Sequence, residues 1–344
     1  MAKRRKKKRF RCIKFLFEIM ILVILSAVLF LGYKFAQVGR ITLQDSEIVK
    51  NSNISQAELS VMGQYTTIAL FGVDSRSGEL SSGTNSDTIM VCSINKKTGQ
   101  IRIASVYRDT YLDTTGGEYR KCTEVYSIGG AAQAISMLNK NLDLNISDYV
   151  TVNFRSLVDI VDLLGGIDIT LSEGEVQWLN GYLVEEREVL EKECPDVPGP
   201  GLQHLNGMQA LAYSRIRYIG MDYERTERQR TVLGQVLQKA QNSDPMLINS
   251  AIDAVLPNVE TSLSLAEILQ MMLGIGKYSM EETVGFPFEK TTMEIQNAGD
   301  CVIPINLAEN VSLLHNYLYR TENYIPSEEV QEISNTISYV TGIY

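Results

Sequence analysis

Five arginines are concentrated in residues 213–230, which read YSRIRYIGMDYERTERQR. They are Arg215, Arg217, Arg225, Arg228 and Arg230. An arginine side chain keeps its charge at any workable pH, and its planar fork of donors matches phosphate oxygens in pairs. The stretch could therefore bind an anionic ligand that carries phosphate.

The spacing of these residues is compatible with a shared direction. Arg215 and Arg217 alternate, so in an extended segment both side chains leave the same face. Arg225, Arg228 and Gln229 follow i, i+3, i+4 spacing, so on a helix they share one face. The alternative is a solvated helix face on which neighbouring glutamates balance the arginines, and the stretch alone does not decide between the two.

Three apolar runs before the cluster would position further charged residues. They cover residues 66–74, 87–94 and 100–106. Their composition predicts three consecutive strands, the last two joined by the turn NKKTG. If the strands are antiparallel, the first ends where the second begins and where the third ends. Asp74, Asp87 and Arg108 would then meet at one edge of a sheet.

Two carboxylates at one edge are stable as anions only with a cation between them or arginines beside them. Mg²⁺ takes one or two carboxylates and completes its shell with water and phosphate oxygens. Asp74 and Asp87 are therefore candidate magnesium ligands. Each residue also has a local explanation, since Asp74 could cap a turn, Asp87 could start a strand and Arg108 could pair with Asp109.

The elements that follow predict an α/β fold. Lys121 precedes a predicted amphipathic helix at residues 123–140. A lysine does not suit the positive end of a helix dipole, which indicates that Lys121 serves a bound anion. Strands predicted at 148–154 and 167–171 alternate with helices at 155–164 and 226–241. This alternation is typical of a layered α/β fold with helices on both sheet faces. We expect residues 241–344 to complete the same domain, mainly with helices and with one strand-like segment at 283–287. A separate C-terminal helical domain is the alternative.

The charge is distributed unevenly along the chain. Its 344 residues carry a formal net charge of -9, yet residues 1–14 hold nine lysines and arginines and no acidic residue. The remainder has 23 basic and 41 acidic residues. An acidic body argues against a nucleic-acid binder, which would need a basic face.

The N-terminus predicts a membrane anchor. Residues 15–33 form a largely apolar run of nineteen residues with one charge, Glu18. As a helix the run would span roughly 28 Å, close to the thickness of a bilayer core. The basic residues before it predict a cytoplasmic tail (1–14), a transmembrane helix (15–34), an extracellular stalk (35–65) and an extracellular domain (66–344). A cleaved signal peptide is the alternative.

The cysteines and histidines exclude some chemistry. The five cysteines are widely spaced and fit no zinc pattern. Cys122 and Cys194 lie in polar segments and could pair outside the cell, a question that the sequence leaves open together with the state of Cys301. Two histidines, His204 and His315, offer little for a Ser-His-Asp hydrolase.

Several motifs occur together and in order along residues 66–240. They are FGVDSR at 71–76, SDTIM at 86–90, RDT at 108–110, Lys121 with Tyr126 and Gly129-Gly130, DYVTVN at 148–153, LNGxxA at 205–210, Arg215-x-Arg217 and Arg225-x-x-Arg228-Gln229. With these motifs the chain resembles the LytR-CpsA-Psr (LCP) proteins, which also have a short cytoplasmic tail, one span and an outside domain.

The resemblance implies a fold, an activity and a set of site residues. The fold would be an α/β/α sandwich with a central mixed sheet and an apolar pocket for a polyprenyl tail. The activity would be that of a Mg²⁺-dependent phosphotransferase, which moves a teichoic acid or capsular polysaccharide from undecaprenyl diphosphate to peptidoglycan as a phosphodiester. Asp74 and Asp87 would hold the metal, and with Arg108 and Arg217 they would be catalytic. The diphosphate would contact Arg76, Arg108, Lys121, Arg215, Arg217, Arg225, Arg228 and Gln229.

Two departures from the family pattern affect this expectation. Asn85 stands where many members carry arginine, so one phosphate contact is absent or supplied by Arg76. Tyr107 stands where many carry proline, which we expect to loosen the loop before Arg108. Arg230 fits no motif position and is expected to be a helix-surface charge.

Other functions remain compatible with the sequence. A membrane-anchored transcription attenuator would need DNA contact, which a short cytoplasmic tail and an acidic body disfavour. A polyprenyl-diphosphate pyrophosphatase, or a lipid-binding wall module without turnover, would use a similar site. The magnesium ligands separate catalysis from binding alone, because arginines suffice to bind a diphosphate.

Overall fold

The computed structural model describes residues 39–40, 47–73, 80, 83–244, 247, 250 and 258–344. The strands in this part of the chain are β1 Gly39–Arg40, β2 Tyr65–Val73, β3 Ser86–Asn95, β4 Gln100–Val106, β5 Tyr111–Asp113, β6 Tyr119–Lys121, β7 Asp148–Asn153, β8 Ile167–Leu171, β9 Gly201–Leu205, β10 Val259–Thr261, β11 Ser279–Met280, β12 Val284–Phe286, β13 Lys290–Ile295 and β14 Gly299–Pro304.

The helices follow the same chain order. They are α1 Gln56–Met62, α2 Cys122–Leu142, α3 Phe154–Leu163, α4 Glu173–Leu190, α5 Gly207–Arg215, α6 Met221–Gln241, α7 Leu265–Gly274, α8 Leu307–Tyr319 and α9 Glu328–Thr341. Helix α2 is kinked at Gly129 and Gly130, and its N-cap residue is Lys121, which makes no side-chain capping bond.

A mixed sheet forms the centre of the fold, as the sequence predicts. Its order is β1-β10-β7-β2-β3-β4-β11, and β12 also pairs with β4. Strands β2, β3 and β4 are consecutive and antiparallel, while β2 and β7 run parallel. The ends of β2, β4 and β7 therefore lie at the same edge as the start of β3, and this edge carries the predicted site.

The tight packing of β2 on β3 at this edge needs a glycine. Gly72 lies opposite Thr88, just before a register shift that makes Val73 the partner of Ser86. A Cβ atom at Gly72 would lie 2.9 Å from the Cβ of Thr88, closer than packed side chains approach. The glycine therefore allows the two strands to stay paired up to the residues that bear the charges.

Helices cover both faces of the sheet because successive strand residues point to opposite sides. On one face, Phe71 and Val91 pack in a core with Ile135 of α2 and Leu314 of α8. On the other face, Met90, Cys92 and Ile103 form a second cluster, against which α6 packs Leu233 and Leu237. A third cluster joins α3, α4 and α5 beside the sheet. This arrangement holds the starts of α3 and α6 next to the strand ends.

The C-terminal third contains more strand than its sequence suggests. It adds β10, β11 and β12 to the main sheet and forms the hairpin of β13 and β14. The predicted helices are present as α7, α8 and α9, and the strand predicted at 283–287 is β12, whereas β10, β11, β13 and β14 were not predicted. These strands are short, with two to six residues each, so their alternation is too brief to stand out in the sequence.

Two sequence expectations concern the N-terminus and the cysteines. No helix of the described residues is long and apolar enough to cross a membrane, and the predicted span lies outside them. Cys92, Cys122, Cys194 and Cys301 are free buried thiols. Cys122 and Cys194 belong to different apolar clusters, so the pairing left open by the sequence does not form.

Candidate active site

Asp87 and Arg108 meet at the sheet edge, as the strand order predicts. Asp87 is the second residue of β3, and its Oδ1 atom is paired with Nη1 of Arg108. Arg225, from the second turn of α6, donates from Nη2 to the Asp87 carbonyl oxygen at 3.4 Å. One aspartate is thus contacted by arginines from two elements far apart in sequence.

Asp109 extends this cluster toward Lys121. The Oδ2 atom of Asp109 lies 3.5 Å from Nε of Arg108, and its Oδ1 atom lies 3.6 Å from Nζ of Lys121. A backbone hydrogen bond joins the segments that carry Arg108 and Lys121, because the Thr123 N–H donates to the Arg108 carbonyl oxygen at 2.9 Å. Lys121 is therefore linked to Asp87 through Asp109 and Arg108. Asp109 was not among the predicted site residues, although it directly follows Arg108.

Asp74 and Arg76 lie outside the described residues, so their predicted roles stay predictions. The last described residue before Asp74 is Val73, which pairs with Ser86, the neighbour of Asp87. Within the described ranges, no group of three or more His, Cys, Asp or Glu side chains could hold a metal ion. The Asp87 carboxylate, 28% exposed, still fits a magnesium ion, which accepts as few as one carboxylate when water and phosphate complete its shell.

A cavity of about 370 Å³ opens beside Asp87, between the sheet and helices α3 and α6. Most of its lining is apolar: Leu70, Phe71, Met90, Val150, Val152, Phe154, Leu157, Ile160, Val232, Leu233 and Val236. The charged and amide side chains that line it are Asp87, Asn153, Arg215, Arg217, Arg225 and Gln229. A pocket with an apolar body and several arginines suits an amphiphile, whose apolar part gains from burial while its anionic part pairs with the arginines.

Arg217 and Arg225 are the lining arginines most suited to a ligand. Arg217 is half-buried and has no carboxylate partner within ion-pair distance among the described residues. Arg225 is 3% exposed and lies against the backbone of Asp87. Gln229, one turn after Arg225, has a buried Oε1 atom that accepts no hydrogen bond from the residues described. Because α6 presents Arg225 and Gln229 on one face, the predicted spacing does aim both at the cavity.

Arg215 also lines the cavity, but carboxylates already balance its charge. Its Nη1 atom is paired with the buried Glu186, and its Nη2 atom lies 3.5 Å from Oε2 of Glu185. The guanidinium also lies 5.3 Å from the ring centre of Phe154 and 5.6 Å from that of Tyr182. Arg215 therefore joins α5 to α4 and contributes less free positive charge than Arg217.

Arg228 holds the structure together away from the cavity lining. Its Nε atom lies 2.9 Å from Glu175 and its Nη2 atom 3.0 Å from Glu224, while Nη1 donates to the carbonyl oxygens of Ile216 and Ile219 at 3.2 Å each. Burial raises the pKa of Glu175, but hydrogen bonds from Ser172 and Arg228 outweigh it and hold that pKa below its ordinary value. The diphosphate contact predicted for Arg228 stays untested, and the geometry gives this arginine a positioning task.

Arg230 is not a helix-surface charge, so this expectation was wrong. The residue is 8% exposed, and burial lowers the pKa of its guanidinium. It donates from Nε to the Thr283 hydroxyl at 2.9 Å and from Nη1 to the Thr226 hydroxyl at 3.3 Å. The reason is that this face of α6 packs against the segment leading into β12, which the sequence did not place beside it.

Tyr107 tightens the loop before Arg108, contrary to expectation. It is 6% exposed, and its N–H donates to the Phe286 carbonyl oxygen at 3.0 Å, a bond that proline could not make. Its hydroxyl fits against Gly285, where a Cβ atom would overlap it. Asn85, the other departure, is exposed just before β3.

Neither histidine belongs to the site. His315 lies in the core, where burial lowers its pKa to about 4, and its Nε2 atom lies 2.9 Å from the Leu142 carbonyl oxygen. His204 is exposed and pairs with Asp168 at 2.7 Å. The charged side chains of the described site are therefore arginines, aspartates and Lys121.

The fold and the site together define a class of protein. It is an α/β protein with a largely apolar cavity, and arginines and an aspartate line one end of that cavity. The profile of the LytR_cpsA_psr family matches residues 33–303. The chain belongs to this family, which confirms the resemblance drawn from its motifs.

Its relatives include several teichoic acid transferases. The polyisoprenyl-teichoic acid–peptidoglycan teichoic acid transferase TagU of Enterococcus faecalis is 29% identical over 290 residues, which cover 81% of this chain and 90% of that protein. TagU of Halalkalibacterium halodurans is 34% identical over 58% of this chain and 61% of its own length. Biofilm regulatory protein A of Streptococcus mutans is 33% identical over 58% of this chain and half of its own length.

Solved structures show the same fold. Protein gbs0355 of Streptococcus agalactiae matches with a TM-score of 0.62 and 26% identity, over 80% of this chain and 94% of that one. TagT bound to LI-WTA matches with a TM-score of 0.59 and 20% identity, over 88% of this chain and all of that one. YwtF (TagT) with bound octaprenyl pyrophosphate lipid matches with a TM-score of 0.55 and 19% identity, over the same shares.

Proposed function

We propose that this protein transfers a glycopolymer, of the teichoic acid or capsular type, from a polyprenyl diphosphate carrier such as undecaprenyl diphosphate to peptidoglycan. The observation that carries the proposal is the cavity, whose apolar body ends at Arg217, Arg225 and Asp87. A polyprenyl chain fits such a body, and a diphosphate fits such an end. Relatives named as teichoic acid transferases, and a TagT structure with a prenyl pyrophosphate, support the same assignment.

The residues of the chain would act mainly by positioning and neutralising charge. The apolar lining would hold the lipid tail and exclude water, while Arg217 and Arg225 bind the diphosphate oxygens. Phosphoryl transfer needs little covalent work from a protein, because stabilising the charge that develops on the leaving oxygens supplies most of the rate. Arg108, held in place by Asp87 and Asp109, would add positive charge beside the same oxygens.

The proposed cofactor is Mg²⁺, held by Asp87 together with Asp74. When bound, the ion would supply positive charge that offsets the negative charge of the diphosphate. The acceptor hydroxyl would form a new bond to the glycan-bearing phosphorus, and the polyprenyl phosphate would leave as the bond between the two phosphates breaks. Arginines alone suffice for binding, so a magnesium requirement separates a transferase from a lipid-binding module.

We also propose an extracellular domain tethered by residues 15–34. Strand β1 runs parallel to β10, which is antiparallel to β7, so the chain enters β1 from the end of the sheet where β7 ends. That end carries Asn153, which lines the cavity. Only four residues separate the proposed span from β1, a reach of at most about 17 Å. The direction of β1 therefore supports a cavity near the membrane, where a lipid-linked donor would lie.

The direct test is transfer by the full-length protein in detergent micelles. A polyprenyl-diphosphate donor with a labelled glycan would be incubated with peptidoglycan, with Mg²⁺ or with EDTA. We expect label on peptidoglycan only with Mg²⁺, and we expect Asp87→Asn to reduce transfer by about 100-fold. Asp196→Asn is the matched control, because Asp196 pairs with Arg187 on the surface, and this variant should transfer at the wild-type rate.

Three outcomes would contradict the proposal in whole or in part. Undiminished transfer by Asp87→Asn would show that Asp87 is not a required metal ligand. Undiminished transfer in EDTA would show that the reaction does not need Mg²⁺. Release of the glycan phosphate into water with no attachment to peptidoglycan would instead identify a pyrophosphatase.

A further inference from the structure

An aromatic pair lies beside the cavity and has no role in the site described above. Trp178 of α4 and Tyr218 of the loop before α6 are stacked, with ring centres 4.2 Å apart and planes inclined by 20°. Tyr218 is 71% exposed even though one face of its ring is covered by Trp178. The opposite face of the tyrosine ring is therefore open to solvent.

The pair adjoins residues that line the cavity. Tyr218 directly follows Arg217, and Tyr182, four residues after Trp178 on the same face of α4, is also a lining residue. Between the two aromatic residues of α4 lies Gly181, where an added Cβ atom would meet nothing within 4 Å. The surface of α4 next to Tyr182 is therefore open at Gly181.

The loop that carries Tyr218 is held firmly. Ile219 packs against α4, where a Cβ atom at Gly174 would lie 3.1 Å from its Cδ1 atom. Arg228 donates to the carbonyl oxygens of Ile216 and Ile219, on both sides of Tyr218. A ring presented on a fixed loop loses little conformational entropy when a ligand binds to it.

The surroundings favour a neutral polyhydroxylated ligand over a lipid surface. Aromatic rings also occur where proteins meet bilayers. Here, however, exposed carboxylates flank the loop, since Glu224 lies against Gly220 and Glu173 precedes Gly174. Glu224 is paired with Arg228, and Glu173 adds an exposed acidic charge that an anionic membrane surface would disfavour. A sugar ring has an apolar face of C–H groups that packs on an aromatic ring, and hydroxyl groups that can bond to nearby carboxylates.

We propose that Trp178 and Tyr218 form a sugar-binding platform for the pyranose that is attached to the diphosphate of the donor. This inference rests on the proposed function, because the arginines next to the platform must hold the diphosphate for its sugar to reach Tyr218. The platform makes the sugar nearest the diphosphate a determinant of donor recognition.

The test compares two lipids that differ only in the sugar. Binding of octaprenyl diphosphate and of octaprenyl diphosphate glucose to the full-length protein in micelles would be measured by calorimetry with Mg²⁺ present. We expect the wild type to bind the glucose-bearing lipid about 10-fold more tightly, equivalent to about 1.4 kcal/mol. Tyr218→Ala should remove this preference while leaving the Kd for the sugar-free lipid unchanged, and Tyr218→Phe should retain it.

Each other outcome overturns the inference in a distinct way. A wild type that binds both lipids equally has no sugar platform, although the proposed function stands. If Tyr218→Ala weakens the binding of both lipids by the same factor, the residue supports the arginine site and does not bind a sugar. If the substitution instead lowers binding to vesicles of phosphatidylglycerol and phosphatidylethanolamine, the pair is a membrane contact. Failure of the wild type to bind either lipid would overturn the proposed function as well.

Discussion

Four of the five arginines of residues 213–230 divide into two groups that differ in what surrounds them. Arg217 and Arg225 line the cavity beside Asp87. Arg215 and Arg228 are paired with glutamates of α4 and α6 and hold helices and loops together. Residues of one type, within one short stretch, thus serve a ligand site and the scaffold that positions it. The difference lies in their partners, which come from elsewhere in the chain.

The largest expected effect concerns stability at Arg228. Replacing Arg228 by alanine leaves Glu175 without its guanidinium partner and two carbonyl oxygens without a donor. Breaking a buried pair in this way costs about 3–5 kcal/mol. Thermal unfolding of the full-length protein would measure it, with Arg155→Ala as the control, because Arg155 is exposed at the start of α3. If Arg228→Ala unfolds like the wild type, this arginine is not part of the scaffold.

The second effect concerns activity at Arg217. Arg217→Ala should lower glycopolymer transfer by about 100-fold, because a charge that contacts the diphosphate is lost. Its unfolding temperature should stay close to that of the wild type, since no described carboxylate depends on this side chain. Arg217→Lys should recover only part of the activity, because an ammonium group cannot contact two oxygens in a fork. If Arg217→Ala loses stability and keeps its activity, Arg217 belongs with the scaffold arginines and not with those that bind the ligand.

A smaller effect is expected at Arg230, which is buried but bonded only to threonine hydroxyls in the described structure. Methionine has a similar length and needs no desolvation of charge, so Arg230→Met should change the free energy of unfolding by no more than about 1 kcal/mol. Transfer activity should be unchanged as well. A large loss of transfer would show that Arg230 belongs with the ligand-binding arginines.

The smallest effect is the pH dependence contributed by Glu175. Its pKa in the folded protein is lowered from 4.5, so its pairing stabilises the protein above that pH and is lost as the pH falls below it. Unfolding temperatures of the wild type and Glu175→Gln would be compared between pH 3 and pH 7. The wild type should be more stable at pH 7, and the difference should shrink in acid. A difference that grows in acid would contradict the assigned ion pair.

The contacts that the sequence could predict are those set by local topology. Asp87 meets Arg108 because β2, β3 and β4 are consecutive antiparallel strands, so turn positions are enough to place their ends. Arg225 and Gln229 share a face because helical spacing requires it, whereas Arg228, predicted on that face, is paired with Glu175 and Glu224 away from the cavity lining. Both inferences need only neighbouring elements.

The contacts that could not be predicted depend on packing between distant segments. Arg215 meets Glu186 across 29 positions, and Arg228 meets Glu175 across 53, because α4 packs against α5 and α6. Arg230 is buried by a segment 53 positions later that leads into β12. Tyr107 bonds to Phe286 through the same late strand. Periodicity in the sequence carries no information on which of these surfaces face one another.

The central claim is that the arginines lining the cavity bind a prenyl diphosphate. Calorimetry with octaprenyl diphosphate and with octaprenol, on the full-length wild type and on Arg217→Ala, tests it most directly. The variant should bind the diphosphate about 30-fold more weakly, equivalent to about 2 kcal/mol, and should bind octaprenol as the wild type does. Equal affinity of both proteins for octaprenyl diphosphate would contradict the account.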